Sequence, residues 1–398
     1  MHMSRTFPEC WTELVTVFLK LGLISYGGAA MMGIMHAEVA DKRKWLSDAR
    51  YLEGMAVVNM LPGPPAVQLA IFVGYQRCGL AGGIAAGLCF MLPAFFILLA
   101  LTLLYTRYGA LGIVSDALHG IGAAVLGVFA AALYRLGRSN LNNTRQVLIA
   151  VAAAILVATT PAGVATVLFL GACAGIASYH SRYIGLIAAA AVGSMSLCAH
   201  FLPGIIAGYT DASIAAASPA SPSLAQLAMF FLKASALTFG GGMTILAFVQ
   251  EHVVNRMQWL TEREFLDGLA LGQLTPGPIL MIAAYVGYRL NGLVGSIVSA
   301  LCIFAPAFLL LLPIMPVWER FKDLLWIKAA MRGIAPAVIG CLVITLGQLL
   351  PHAAPNTFAQ LVLLATAFAL IRWRIGPLPL IVAAGVLSIV VRGYDTWS

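Results

Sequence analysis

The sequence predicts an all-α polytopic membrane protein of two homologous halves, set as inverted repeats, with about 13 transmembrane segments that include broken or re-entrant helices. Three observations predict it. Of 398 residues, 61% are hydrophobic and 10% charged, too little polar surface to cover a soluble protein of this size. Apolar runs of about 15 to 25 residues recur from end to end, and a bilayer core needs roughly 20 helical residues to cross it. The chain also repeats itself at long range.

Helices follow because stretches such as Val147 to Thr160 and Leu361 to Ile371 are apolar on every face, whereas barrel strands alternate. The N-terminus carries Arg5, Glu9 and Glu13 without a short apolar core and small-residue cleavage site, so the first apolar segment is expected to be retained. Seven cysteines are scattered without CxxC or CxxH spacing and read as small buried hydrophobes. The formal charge of +8 is dispersed between apolar segments, which points to membrane topology and not to nucleic acid.

The repeat is ordered. Phe18-Leu19-Lys20 returns as Phe231-Leu232-Lys233, Ser25-Tyr26-Gly27-Gly28 as Thr238-Phe239-Gly240-Gly241, and Glu38 as Glu251, 213 positions on. After a one-residue shift, Trp45-Leu46-Ser47-Asp48 matches Trp259-Leu260-Thr261-Glu262, Glu53-Gly54 matches Asp267-Gly268, and Leu61-Pro62-Gly63-Pro64 matches Thr275-Pro276-Gly277-Pro278. The first spacing resumes for Pro93-Ala94-Phe95 with Pro306-Ala307-Phe308 and Gly120-Ile121 with Gly333-Ile334. The halves are residues 1–206 and 224–398. Between them, 207–223 is rich in Ala, Ser and Pro without Lys or Arg, an external linker.

Basic residues at Tyr134 to Arg145, Trp318 to Arg332 and Ile371 to Ile375 mark cytoplasmic loops. Seven crossings are expected before the linker, near 12–35, 51–76, 79–105, 118–137, 146–160, 162–179 and 184–202. Six follow, near 224–250, 265–288, 292–317, 331–350, 357–371 and 376–391. An odd number between equivalent segments turns the second half over, with the N-terminus cytoplasmic and the C-terminus periplasmic. Lys42-Arg43-Lys44 then falls outside, against the charge rule.

Four repeated features are candidates for a site, because polar and helix-breaking residues are costly in a bilayer unless they meet a cavity or partner. Ser25 with Gly27 and Gly28, and Thr238 with Gly240 and Gly241, let the backbone unwind; such glycines also serve close packing. Asn59 with Pro62, Gly63 and Pro64, and Gln273 with Pro276, Gly277 and Pro278, break each helix and leave N–H groups that favour an anion. Lys20 and Lys233 offer point charges to a dianion or snorkel to the interface. Glu53 and Asp267, with Glu38 and Glu251 as weaker candidates, are placed to exchange protons. No HExxH, GxxxxGK[ST] or nucleophile–base arrangement is found, so neither an enzyme nor a cofactor or metal is expected.

The doubled phrase Phe18-Leu19-Lys20 to Gly27-Gly28, Trp45-Leu46 and Pro62-Gly63-Pro64 to Gly74-Tyr75 resembles the chromate ion transporter family in its long-chain, two-domain form. The resemblance implies a bacterial inner-membrane exporter of chromate that confers resistance, with sulfate as substrate analogue, protons as coupling ion and the lipid bilayer as surroundings. It leaves the oligomeric state open, a homodimer included. A sulfate or other oxyanion permease and a passive anion channel remain as alternatives. Leu61 against Thr275, and Ala29 against Gly242, imply that the two half-sites are unequal.

Overall fold

The computed structural model describes residues 7–25, 28–109, 111–160, 164–201, 222–236, 243–317, 325–373 and 375–395, all helices, turns and short connections with no strand among them. The linker before residue 222 lies outside the described residues, as do Tyr26, Gly27, Thr238, Gly240 and Gly241. Among the described residues, four stretches are long and apolar enough to cross a membrane: Pro65–Tyr108, Gly112–Asn140, Ile279–Ile314 and Lys328–Ala353.

Helix α1 (Phe7–Ile24) buries Leu14, Val17, Phe18 and Leu21 at helical spacing and exposes Thr12, Thr16 and Lys20 on its other face. It ends at Ser25. Helix α2 (Gly28–His36) runs on into a π-helical turn, Ala37–Lys42, after which Arg43 Nη1 meets Glu13 Oε1 at 2.6 Å. The chain has therefore come back to the level at which α1 began.

Helix α3 (Asp48–Met60) starts on Ser47, whose hydroxyl accepts the Arg50 N–H at 3.3 Å. It stops at Leu61 because the prolines that follow carry no N–H to extend it. Helix α4 (Pro65–Tyr108) begins with proline at its first position, where the missing donor costs nothing. A Cβ on Gly54 would lie 2.6 Å from the Phe72 ring, although 18 residues of straight helix would part them by about 27 Å. Residues 51–76, expected to run in one direction, thus double back at Pro62-Gly63-Pro64.

Helix α4 reverses again at Cys78 and Gly79, where Gly79 has φ +69°. Gly83 then lies against the Ile71 carbonyl, 3.1 Å from where its Cβ would be. The second arm, residues 80–108, is the one long enough to cross, at about 43 Å.

The second half uses the same devices. Helices α9 (Leu224–Ala236) and α10 (Met243–Gln250) are followed by a second π-helical turn, Glu251–Arg256, with Phe230 stacked on Phe248 at 5.9 Å. Helix α11 (Glu262–Leu274) is opened by a reciprocal cap between Thr261 and Glu264. After Thr275 to Pro278 and one 3-10 turn comes α12 (Ile282–Ile314), reversed at Asn291 and Gly292, where φ is +62°. Tyr285 donates to the Glu264 carbonyl at 2.9 Å, so residues 265–288 also double back.

The remaining helices are α5 (Gly112–Asn140), α6 (Thr144–Thr159), α7 (Val164–Tyr179), α8 (Arg182–Phe201), α13 (Leu325–Ala353), α14 (Thr357–Arg372) and α15 (Pro377–Asp395). They are exchanged between halves: α5 packs on α14 and α15, while α13 packs on α6 and α7. A Cβ on Gly127 would sit 2.6 Å from the Leu363 carbonyl, and one on Gly340 would collide with the Ala150 carbonyl. Both pairs are joined by the spacing of 213 that relates the sequence motifs (340 − 127 and 363 − 150). Small residues give this close approach because helices in lipid associate through packing and not through hydrophobic exclusion.

One apolar core joins the halves, with Phe18, Phe72 and Phe90 continuous with Phe231, Phe265 and Phe304. Cys89, Cys173 and Cys341 are free and buried, as small hydrophobes; Cys78, at the reversal of α4, is instead disulfide-bonded.

Candidate functional site

The breaks come together. The Gly277 N–H donates to the Ser25 carbonyl at 2.7 Å, so the Pro-Gly-Pro turn of the second half meets the end of α1 in the first. A Cβ on Gly277 would stand 2.6 Å from Cβ of Ala94, and one on Gly63 would stand 3.6 Å from Cβ of Ala307. Each proline-glycine-proline turn thus touches the middle of the crossing arm from the other half. Both glycines are required by the backbone, with φ +124° at Gly63 and +111° at Gly277, a region that disfavours any residue with a Cβ.

The second arm of α4 orients the arrangement. Near its beginning Arg77 meets Glu13 at 3.5 Å and lies over Trp45, beside Arg43, at the base of the first-half hairpins. Near its end the Tyr105 hydroxyl donates to Asp267 at 2.8 Å, at the base of the second-half hairpin α11–α12. Ala94 lies between, at Gly277. The hairpins of the two halves have their bases at opposite ends of this arm and their tips at its centre.

The two turns are braced differently. Gln68, fully buried, donates from Nε2 to the Pro62 carbonyl at 2.7 Å and crosses the space that a side chain on Gly63 would need. The equivalent position in the second half is Ile282, and there the Ser25 carbonyl holds the turn. The Gly277 N–H is therefore spent within the protein, against the expectation that the breaks present free donors. At the first break, the N–H groups of Ala66 and Val67 fall in the buried first turn of α4, ahead of its helical ladder. Ser25 Oγ and Gln68 Oε1 are buried without a hydrogen-bond partner, an arrangement that a protein ordinarily avoids.

Other predicted residues take varied places. Gly28 opens α2. Pro62, Pro64, Pro276 and Pro278 flank the two turns, all but Pro62 buried. Asn59 is exposed and bonds back to the Met55 carbonyl at 2.8 Å. Gln273 is the polar member of a small cavity lined by Val125, Phe129, Leu246 and Leu269, with room for about one water molecule. Lys20 and Lys233 are exposed on the helix faces opposite the buried stripes, so the structure does not bring them to the tips.

The carboxylates separate into two kinds. Glu38 is paired with Arg43 at 2.9 Å and Lys42 at 3.5 Å, and the Arg43 hydrogen bond holds it below the ordinary carboxylate range, which keeps it charged. Glu251 pairs with Arg256 at 3.0 Å on its own π-helical turn. Glu53 meets Arg50 at 2.6 Å, and its other oxygen, Oε1, is buried without a hydrogen-bond partner. Asp267 is 5% exposed, lying between Tyr105 and Arg263, the latter at 3.3 Å.

Sequence reasoning missed Gln68, Tyr105 and Arg263, which carry no repeat signal of their own. Ala94 and Ala307 are repeat partners, 213 positions apart (307 − 94), but no feature of the sequence places them beside the glycines.

The family model described as Chromate transporter matches residues 12–179 and again 225–389. The chain is 31% identical over 393 residues to the chromate transport protein of Cupriavidus metallidurans, covering 97% of this chain and 94% of that one. It is 31% identical to the probable chromate transport protein of Synechococcus elongatus, with 95% of each chain covered. With the chromate transport protein of Pseudomonas aeruginosa it shares 30% identity across 96% of this chain and 93% of that one. No solved structure matches significantly.

Proposed function

This chain belongs to the chromate transporter family, and from that premise we propose that it exports chromate across the bacterial inner membrane by secondary transport, exchanging the anion for protons and conferring resistance. The observation that carries the reading is the junction of Gly277 with Ser25, where hairpin tips based at opposite ends of a crossing arm meet at its centre. Broken helices that end inside a bilayer need polar partners, and an oxyanion answers buried N–H groups at helix starts. Chromate and sulfate share charge and tetrahedral shape, so sulfate is the natural competitor.

The hairpins also favour an inverted arrangement. When α1–α2 and α3 with the first arm of α4 enter and leave on one face, five crossings lie between equivalent elements: the second arm of α4, then α5, α6, α7 and α8. Five is odd, so the second half is turned over, as thirteen straight crossings also required. The count becomes nine, and Lys42-Arg43-Lys44 returns to the N-terminal side with Arg135, Arg138 and Arg145. The charge rule is then obeyed where the straight-through scheme broke it.

The test is uptake of labelled chromate into inverted membrane vesicles, with sulfate as competitor and an uncoupler added in turn. Energised accumulation that collapses with the uncoupler is expected. Equilibration without accumulation would make the protein a channel, and a preference for sulfate would make it a sulfate permease.

A further inference from the structure

Of the ionisable groups within the helical hairpins, Asp267 joins two parts of the molecule that must separate if α11 and α12 are to move. Its Oδ2 accepts from Tyr105, 162 residues away on the second arm of α4, and its Oδ1 faces Arg263 on its own helix. The ionisable groups brought to it by neighbouring elements are His119 from α5, and Arg289 and Tyr285 from α12. Arg289 lies 5.7 Å above the Tyr105 ring and is paired with Glu264, so its charge is committed elsewhere. The repeat counterpart Glu53 is paired with Arg50 on its own helix, and its side chain is 28% exposed against 7% for Asp267. The two halves differ here in chemistry as well as in burial.

We propose that Asp267 is the proton carrier of the transport cycle and that its hydrogen bond from Tyr105 is the latch that keeps the α11–α12 hairpin closed on α4. The inference rests on the transport reading above and supplies its coupling residue. A proton reaching the base of this hairpin adds to a carboxylate oxygen of Asp267. Tyr105 keeps its own proton and now donates to a neutral carboxyl, a bond about half as strong as one to a carboxylate. Arg263 loses its ionic partner and turns to water. The hairpin opens on that face, the anion leaves, and the latch re-forms only after the proton has been lost to the opposite side. Proton and anion thereby move in opposite directions, and no redox or covalent step is involved.

The experiment uses the full-length protein in liposomes whose lumen is one pH unit more acidic than the bath, a gradient that supports about tenfold chromate accumulation per proton exchanged. Chromate counterflow without a gradient is measured on the same preparations. Asp267→Asn is expected to lose gradient-driven accumulation and keep counterflow, since an unlatched hairpin still opens and closes around the anion while no proton is carried. Tyr105→Phe is expected to behave likewise, with Asp267→Glu restoring part of the accumulation and Glu53→Gln retaining all of it. Accumulation by Asp267→Asn at the level of the unsubstituted protein overturns the proposal. So does loss of counterflow in an inserted Asp267→Asn protein, which would make the residue necessary for translocation itself. Loss of accumulation confined to Glu53→Gln would move the role to the other half. If the unsubstituted protein shows no chromate counterflow, the transport reading fails first; counterflow without any response to the gradient leaves that reading standing and removes this one.

Discussion

Gly277 and Ser25 are joined by a 2.7 Å hydrogen bond between backbone atoms, N–H to carbonyl, although 252 positions separate them (277 − 25). The bond needs no side chain, so its specificity lies in conformation. Gly277 holds φ +111°, and a Cβ placed on it would come within 2.6 Å of Cβ of Ala94.

Gly277→Ala should therefore reduce transport more than Gly63→Ala. At Gly277 the obstacle is a Cβ fixed to a helix, whereas at Gly63 it is the mobile end of Gln68. Each change also carries about 1–2 kcal/mol of backbone strain. Chromate uptake normalised to inserted protein distinguishes them, and adding Ala94→Gly should restore part of the Gly277→Ala loss. Equal activity of both variants with the unsubstituted protein would show that the turns need no glycine.

Arg289→Ala should weaken transport more than Lys20→Ala or Lys233→Ala, the reverse of what repeat position alone suggests. Arg289 pairs with Glu264 and lies over Tyr105, while both lysines are exposed on outward faces. A double lysine variant that abolishes transport while Arg289→Ala retains it would return the lysines to the site.

Cysteines replacing Ser47 and Thr261 should react with impermeant reagents from opposite faces, and a cysteine replacing Lys44 should react from the same face as Ser47. Both Ser47 and Thr261 cap the second hairpin of their half. Labelling of both from one side would remove the inverted arrangement.

Gly127→Val and Gly340→Val should each destabilise the protein by about 1–3 kcal/mol, the usual cost of overpacking. The neighbours are backbone atoms of Leu363 and Ala150, which cannot rotate away. Thermal denaturation in detergent should register both losses, and Gly347→Val, where the Cβ meets open space, should show little.

Much of this was legible in the sequence, for reasons that differ by residue. Pro62-Gly63-Pro64 and Pro276-Gly277-Pro278 announced breaks because proline and glycine act locally, and both turns stand where expected. The direction of the chain after each break was not legible, since a broken helix and a hairpin share one hydropathy profile; it took Gly54 against Phe72 to decide. Lys20 and Lys233 could be read in two ways, as charges at the site or as side chains snorkelling outward, because repetition marks a position without showing which way its side chain points; both stand exposed. Tyr105 and Gln68 were invisible for another reason: each owes its place to a contact with a partner that only folding supplies.

The exchange of helices between halves sets an order for biogenesis. Helix α5 ends at Asn140, but α15, against which Gly120 packs at the Ala384 carbonyl, begins at Pro377. At about 5–20 residues per second, a ribosome reaches α15 roughly 10–50 s after finishing α5. During that interval the glycine-lined flank of α5 faces lipid or a chaperone. The first half can enter the membrane on its own schedule, yet its tertiary structure is completed by a helix that begins 237 residues after α5 ends (377 − 140).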